Sequence, residues 1–321
     1  MYQQIRSSVE ADFEAVNQFV IDRLHSDVAL VESIGHYIVD AGGKRMRPIM
    51  VLLSAHACGY NDRDHIKLAA VIEFIHTATL LHDDVVDMST MRRGRPTANN
   101  QWSNPSSVLV GDFIYSRAFQ VLVSLGSLRI MEIIADTTNK IAEGEVLQLI
   151  NKHNVDITEA DYLKVIHNKT AILFQAAAQC GAILANAPAK IEQGLRDFGL
   201  HVGKAFQLID DVLDYAGDSA AMGKNIGDDL AEGKPTLPLI FAMKHSSDAD
   251  SRLIKDALKI SGLDSLEKII SIVNTSGGIE YTRQLAEAEV GKARACLTDL
   301  PPSQYRDALE AMAELAINRT S

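Results

Sequence analysis

Residues Phe74-Ile75-His76-Thr77-Ala78-Thr79-Leu80-Leu81-His82-Asp83-Asp84-Val85-Val86-Asp87 carry an apolar stretch straight into a cluster of aspartates. Ala205-Phe206-Gln207-Leu208-Ile209-Asp210-Asp211-Val212-Leu213-Asp214 repeats the arrangement with the same D-D-x-x-D spacing. On a helix, residues four apart share a face, so Asp83 aligns with Asp87 and Asp210 with Asp214. Carboxylates packed at the inner end of an apolar helix repel one another unless cations neutralise them. A single cluster reads equally well as a solvated acidic helix end. Two copies of one spacing, both continuous with apolar helix, point instead to a site. Carboxylate oxygens with room for water and phosphate oxygens suit Mg2+. The clusters Asp83, Asp84, Asp87 and Asp210, Asp211, Asp214 would hold several Mg2+ ions and clamp a diphosphate leaving group.

The helical period extends outward from both clusters. Leu195, Phe198, Val202, Phe206, Ile209 and Leu213 form one apolar stripe. Tyr305, Leu309, Met312 and Ala316 form another, after the helix-breaking Pro301-Pro302. Pro48 suits the first turn of a helix running to Cys58, and Ser265 followed by Glu267 and Lys268 marks another start. No stretch alternates in the strand manner beyond a few residues, and no Asn-Gly or Asp-Gly pair joins two apolar runs. Connections are expected at Ala41–Arg47, Met91–Pro105, Gly217–Pro235 and Met243–Ser251, none biased enough to be a disordered linker. No internal repeat of about 20–50 residues is visible. The pattern reads as all-α, a single large helical bundle with residues 1–321 as one domain.

Composition narrows the class further. Of 321 residues, 47% are hydrophobic and 23% charged, an ordinary globular balance. A formal charge of −11 argues against a nucleic-acid partner, whose binding surface would be basic, yet leaves room for a local basic cluster that holds phosphates. Cys58, Cys180 and Cys296 lie far apart and form neither a disulfide framework nor a zinc motif, which suits a reducing compartment. Arg6, Glu10, Asp12 and Glu14 interrupt the first twenty residues, so no signal-peptide core is expected there. No apolar run reaches the roughly 18 residues of a spanning helix. A cytoplasmic protein without stable membrane insertion is expected.

Cations stand where anions would need them. Arg92, Arg93 and Arg95 follow the first cluster, and Gly42-Gly43-Lys44-Arg45-Met46-Arg47-Pro48 brings three more to the start of a helix. Glycines let backbone N–H groups approach an anion, and arginine supplies forked donors to phosphate oxygens. His76 lies two helical turns before Asp83 on the same face, which favours a site role over that of a core histidine. Lys169-Thr170 interrupts an apolar, alanine-rich helix, an awkward place for a lysine unless it meets a polar cavity. Gln207 sits three residues before Asp210. Lys224 and Lys234 flank Asp228-Asp229 and read equally well as ligands or as part of a solvated charged loop.

In this order, these motifs together with Gly233-Lys234-Pro235-Thr236 resemble the trans-isoprenyl diphosphate synthases over nearly the whole chain, with the overall likeness running to bacterial octaprenyl-forming members. The resemblance implies an isoprenoid-synthase helical bundle with a central substrate cavity. It implies an Mg2+-dependent, head-to-tail condensation of isopentenyl diphosphate onto an allylic diphosphate such as farnesyl diphosphate, supplying a quinone side chain. Lys44, Arg47, His76 and Arg93 would bind isopentenyl diphosphate. Arg92, Lys169, Thr170, Gln207, Lys224 and Lys234 would hold the allylic diphosphate. Asp83, Asp87 and Asp210, supported by Asp84, Asp211 and Asp214, would bind Mg2+, and with Lys169 they would carry catalysis. A homodimer is implied as well, together with a membrane-seeking product.

Product length should depend on what stands before the first cluster. Ala78 and Thr79 lie five and four residues before Asp83, about 6 to 7.5 Å down the helix. Both are small. In the resembled family, aromatic residues there stop growth early, so their absence implies a long product. Val121, Leu122, Met131 and Ile134 are candidates for the deeper floor. A terpene cyclase shares the first cluster but mixes Asn, Ser or Thr with Glu in its second. A non-catalytic subunit of a heteromeric synthase would have lost one cluster. Shorter or longer products remain alternatives to eight units.

Overall fold

A computed structural model describes residues 1–216 and 227–319. In chain order the helices begin with α1 (Tyr2–Ser7), α2 (Glu10–Arg23), α3 (Ala29–Asp40), α4 (Met46–Ala57) and α5 (Asp64–Val86). A two-stranded hairpin, β1 (Met91–Arg92) and β2 (Arg95–Pro96), precedes α6 (Ala98–Gln101), α7 (Asn104–Ser124) and α8 (Leu128–Asn151). Next come α9 (Glu159–Ile166), a π-helical turn (His167–Ala171), α10 (Ile172–Leu184) and α11 (Ala189–Ala216). The remaining described helices are α12 (Asp228–Ala231), α13 (Leu237–His245), α14 (Asp248–Ile260), α15 (Leu266–Thr275), α16 (Gly278–Cys296) and α17 (Gln304–Ile317). The all-α expectation holds.

The chain divides into two compact units. The first comprises Met1–Thr138, Leu173–Gly199 and Leu297–Met312; the second comprises Asn139–Ile172, Leu200–Cys296 and Ala313–Ser321. In the first, α5 is the central element and packs against α7, α4 and α2. It is apolar almost all round, and Leu68, Ile72, Phe74 and Ile75 are fully buried. Such a helix is stable only inside a bundle, where each buried Leu, Ile or Phe contributes about 1.5–3 kcal/mol. Gly181 of α10 lets that helix close on α4, since a Cβ there would lie 2.9 Å from the Val51 carbonyl oxygen. In the second unit, Leu208 and Ile209 join Leu239, Ile254, Leu258 and Ile269 in one apolar core.

Local chemistry sets several boundaries. Ser103 caps α7 by accepting from the Ser106 amide at 3.2 Å, with Pro105 in the first turn. Thr158 and Asp161 form a reciprocal capping box on α9. The structure also departs from the expected connections. Met91–Pro105 contains the small hairpin and α6, because Arg93 (φ 51°) and Gly94 (φ 73°) both adopt the left-handed geometry of a tight reversal. Within Met243–Ser251, α13 runs to His245 and α14 starts at Asp248, where Ser247 accepts from the Asp250 amide. The long helix α7 already begins at Asn104, inside the expected connection Met91–Pro105.

Candidate active site

In the first unit, α5 carries His76, Ala78, Thr79, Asp83 and Asp84, and Asp87 caps its C-terminus with its amide on the Asp83 carbonyl oxygen at 2.8 Å. Asp83 and Asp87 are half-buried, while Asp84 is completely buried. The Arg92 guanidinium, delivered by the hairpin, places Nε and Nη2 each 2.8 Å from Asp84 Oδ1. Burial raises the pKa of Asp84, and Arg92 opposes that rise. The other oxygen, Asp84 Oδ2, is buried without a hydrogen-bond partner among the described residues.

The same hairpin turn joins the two basic loops. Arg93 Nη1 donates to the Gly42 carbonyl oxygen, and its guanidinium lies where a side chain on Gly43 would stand, 2.8 Å from that Cβ position. Glycine at position 43, with φ 135°, is therefore required both for the backbone and for the close approach. Arg45 takes a different role from its neighbours. It pairs with the buried Glu73 and donates to the Val39 carbonyl oxygen at 3.2 Å, anchoring the loop to α5.

Arg47 lies over the Phe174 ring at 4.3 Å, and its Nη1 is 3.3 Å from His76 Nε2. Guanidinium only donates, so His76 Nε2 accepts and its remaining proton sits on Nδ1. Burial first, then Arg47 and the other nearby arginines, hold the His76 pKa well below the ordinary histidine range. His76 is thus a neutral Nδ1–H donor within a cationic cluster. Lys44 stands at the start of this arrangement, where its carbonyl oxygen accepts from the Tyr2 hydroxyl at 3.0 Å. Thr79 is half-buried with its hydroxyl on the His76 carbonyl oxygen, and Ala78 is fully buried. Val121, Leu122 and Ile134 are buried; Met131 is half-buried.

In the second unit, α11 repeats the pattern of the first motif. Asp210 remains 41% exposed, whereas Asp211 is buried. Tyr162 donates to Asp211 Oδ2 at 2.5 Å and Gln207 Nε2 donates to Oδ1 at 2.8 Å. The Thr170 hydroxyl donates in turn to Gln207 Oε1 at 2.9 Å. One line of hydrogen bonds therefore links Thr170, Gln207, Asp211 and Tyr162. Asp214 Oδ2 accepts from the Asp229 amide at 3.3 Å. Burial, followed by the Asp229 carboxylate, raises both Asp211 and Asp214 above the usual carboxylate range.

Lys169 projects from the π-helical turn, an irregularity often found at functional sites. Its Nζ donates to Glu145 Oε2 at 2.6 Å and to Gln148 Oε1 at 2.7 Å. Gly144 permits this packing, because a Cβ there would lie 2.7 Å from the Lys169 amide nitrogen. Lys234 pairs with Glu232, and its amide donates to the Asp229 carbonyl oxygen at 2.8 Å. Lys224 lies outside the described residues. Tyr162, Glu145 and Arg319 were not singled out in the sequence. Arg319 Nη1 is 2.9 Å from Asp210 Oδ1, its guanidinium stacks 3.6 Å over Phe206, and Nη2 donates to the Phe206 carbonyl oxygen at 2.7 Å. Tyr162 and Arg319 are 49 and 109 positions from the aspartates they touch, so spacing gave no signal for either.

The residues fit a hard divalent cation. Both motifs offer oxygen donors alone, Asp84 Oδ2 is buried with no hydrogen-bond partner among the described residues, and burial, then the Asp229 carboxylate, raises Asp211 and Asp214. The family model described as polyprenyl synthetase matches residues 28–275. The chain belongs to that family. This polyprenyl synthase is a prenyltransferase, and its family joins isopentenyl diphosphate head-to-tail to allylic diphosphates, generally with Mg2+. It is 51% identical over 318 residues to octaprenyl diphosphate synthase of Escherichia coli (strain K12), covering 99% of this chain and 98% of the relative. It is 50% identical over 318 residues to an all-trans-nonaprenyl-diphosphate synthase (geranyl-diphosphate specific) of Rhodobacter capsulatus, with the same coverages of 99% and 98%. Among solved structures, polyprenyl synthase from Caulobacter crescentus CB15, complexed with calcium and isoprenyl diphosphate, matches with a TM-score of 0.97 and 41% identity, covering 100% of this chain and 98% of that one. No described helix of the synthase is long and apolar enough to cross a membrane.

Proposed function

We propose that this chain is a long-chain trans-polyprenyl diphosphate synthase, acting as one catalytic domain, that makes octaprenyl diphosphate for a quinone side chain. It would lengthen an allylic primer such as farnesyl diphosphate with isopentenyl diphosphate in the cytoplasm, as a homodimer. The observation that carries this reading is the duplicated D-D-x-x-D motif with its second aspartate buried and hydrogen-bonded in each copy, Asp84 on Arg92 and Asp211 on Tyr162 and Gln207. That arrangement fixes each motif while leaving Asp83, Asp87 and Asp210 partly exposed as ligands.

Lys44, Arg47, His76 and Arg93 would hold isopentenyl diphosphate. Neutral His76 suits this role, since its Nδ1–H donates to an anion without requiring a buried positive charge. Arg92, Lys169, Thr170, Gln207, Lys224 and Lys234 would hold the allylic diphosphate. Asp83, Asp84, Asp87, Asp210, Asp211 and Asp214 would hold Mg2+, directly or through water; the bound ions would draw off the charge that develops on the departing diphosphate. The cationic side chains orient that diphosphate and stabilise it as the C1–O bond breaks. The isopentenyl double bond attacks the resulting allylic cation, and the released diphosphate takes the proton lost afterwards. No nucleophilic side chain is required.

The similarity to octaprenyl and nonaprenyl synthases, at 51% and 50% identity, supports a long product and leaves nine units as the runner-up. The test is incubation of the full chain with farnesyl diphosphate, labelled isopentenyl diphosphate and Mg2+, followed by chromatography of the dephosphorylated product. A discrete product of eight isoprene units is expected. Absence of elongation would overturn the function, and a discrete nine-unit product would replace the octaprenyl reading.

A further inference from the structure

A second set of metal-ligating side chains stands apart from both aspartate motifs. Asp12 in the first turn of α2, His56 near the end of α4 and His65 at the start of α5 place their ligand atoms within 4.8 Å of one another. Asp12 Oδ2 is 2.6 Å from His56 Nε2 and 3.0 Å from His65 Nε2. His65 is almost fully buried, and the side chains of His56 and Asp12 keep 16% and 23% exposure, so an ion could enter from solvent. Nothing in the condensation reaction uses these residues.

Hydrogen-bonding contacts already orient the three side chains. The Tyr60 carbonyl oxygen lies 3.2 Å from His56 Nδ1, and because a carbonyl only accepts, Nδ1 must carry a proton. The other ring nitrogen, Nε2, is aimed at the Asp12 carboxylate oxygen 2.6 Å away. Two such atoms cannot rest at that separation without a proton or a metal ion between them. Backbone fixation of the far nitrogen is the arrangement that prepares a histidine for ligation. His65 Nδ1 is buried with no partner among the described residues, so it can take the ring proton when Nε2 exchanges its hydrogen bond to Asp12 for a metal ion. Tyr305 stacks on the His56 ring at 4.8 Å and holds its plane.

We infer that Asp12, His56 and His65 form a site for one zinc ion, which clips α2 onto α4 and α5. Two imidazole nitrogens and one carboxylate oxygen suit Zn2+ rather than Mg2+. Zinc bonds of about 2.0–2.2 Å in tetrahedral geometry separate ligand atoms by roughly 3.3 Å, so Asp12 Oδ2 must draw back by about 0.7 Å from His56 Nε2 and by about 0.3 Å from His65 Nε2. Water or the second Asp12 oxygen completes the shell. Cys58, two residues beyond His56, is not among the ligand atoms that lie together.

The test uses the full chain, stripped with a chelator, reloaded with Zn2+ and dialysed against excess Mg2+ to clear the aspartate motifs. Elemental analysis should find one zinc per wild-type chain and none in Asp12→Asn or His65→Gln. Zinc should raise the Tm of the wild type alone, by at least about 2 °C. Zinc-edge X-ray absorption of the wild type supplies a readout that does not depend on whether the variants fold, and it should show imidazole in the shell. No retained zinc, equal zinc in wild type and folded variants, or a shell of oxygen alone would overturn the site.

Discussion

Asp84 and Asp211 occupy the same place in their motifs and are both buried, yet their partners differ in kind. Arg92 brings a full charge to Asp84, whereas Tyr162 and Gln207 bring only neutral donors to Asp211. The second motif therefore depends more heavily on hydrogen-bond geometry. Tyr162→Phe removes the 2.5 Å bond and leaves Asp211 Oδ2 unsatisfied in the interior. A hydrogen bond to a charged group contributes about 1.5–3 kcal/mol. Steady-state kinetics should show kcat/KM falling roughly tenfold or more, with a higher Mg2+ concentration needed for half-maximal rate. A variant with wild-type Mg2+ dependence would remove Tyr162 from the site. Glu289 offers a separate test at residue scale. Burial alone would raise its pKa, but hydrogen bonds from His201 and Lys292 outweigh burial and hold it at about 2, against an ordinary 4.5. A carboxyl depressed on folding stabilises the protein fully above its unfolded pKa and loses that contribution as pH falls through the folded one. That stabilisation should thus disappear as pH falls from about 4.5 to about 2. Thermal melts of Glu289→Gln should show a lower Tm at neutral pH and a shallower acid loss across that window.

At the scale of elements, α5 is both the core of its unit and the carrier of the first motif, so its sequence answers to packing and chemistry together. Ala78→Tyr tests the chain-length reading, since it places an aromatic ring one to two turns before Asp83. Chromatography of the dephosphorylated product should show a shorter chain, and an unchanged length would remove Ala78 from the ruler. The π-helical turn supplies a second test. Gly144→Ala forces a Cβ to within 2.7 Å of the Lys169 amide nitrogen, so the turn must shift and carry Lys169 with it. A several-fold rise in KM for the allylic diphosphate is expected, with KM for isopentenyl diphosphate little changed. Helix identity and motif position were legible in the sequence because each rests on spacing within one element, as with Asp83 and Asp87 or Leu195 and Phe198. The hairpin was not legible. Its reversal uses Arg93-Gly94 rather than a usual turn pair, and no apolar alternation flanks it. The lone lysine at position 169 drew notice as a misfit in an apolar helix, but the irregular turn around it is fixed by close approach to Gly144, a tertiary contact. Tyr162 and Arg319 stayed hidden for the same reason.

For the whole molecule, the remaining question is what covers its exposed apolar surface. On α8, Val146, Leu149 and Ile150 are 55%, 54% and 69% exposed and recur at three- and four-residue spacing. One exposed leucine is ordinary, but a helical stripe of three large aliphatics is what a partner surface presents. The homodimer proposed above gives this stripe an occupant, a second copy of the chain. Association driven by such a stripe should be sensitive to one charge placed in its middle. A glutamate at position 149 would have to be buried unpaired in the dimer, which costs several kcal/mol, while in the monomer it would stay hydrated. Leu149→Glu should therefore keep wild-type helicity by circular dichroism yet sediment as a monomer at concentrations where the wild type is a dimer. A shift of a few kcal/mol raises the dimer dissociation constant by two orders of magnitude or more, within reach of sedimentation velocity. A wild type that sediments as a monomer would remove the homodimer itself. A variant that stays dimeric with unchanged dissociation constant would place the interface on another face of the molecule.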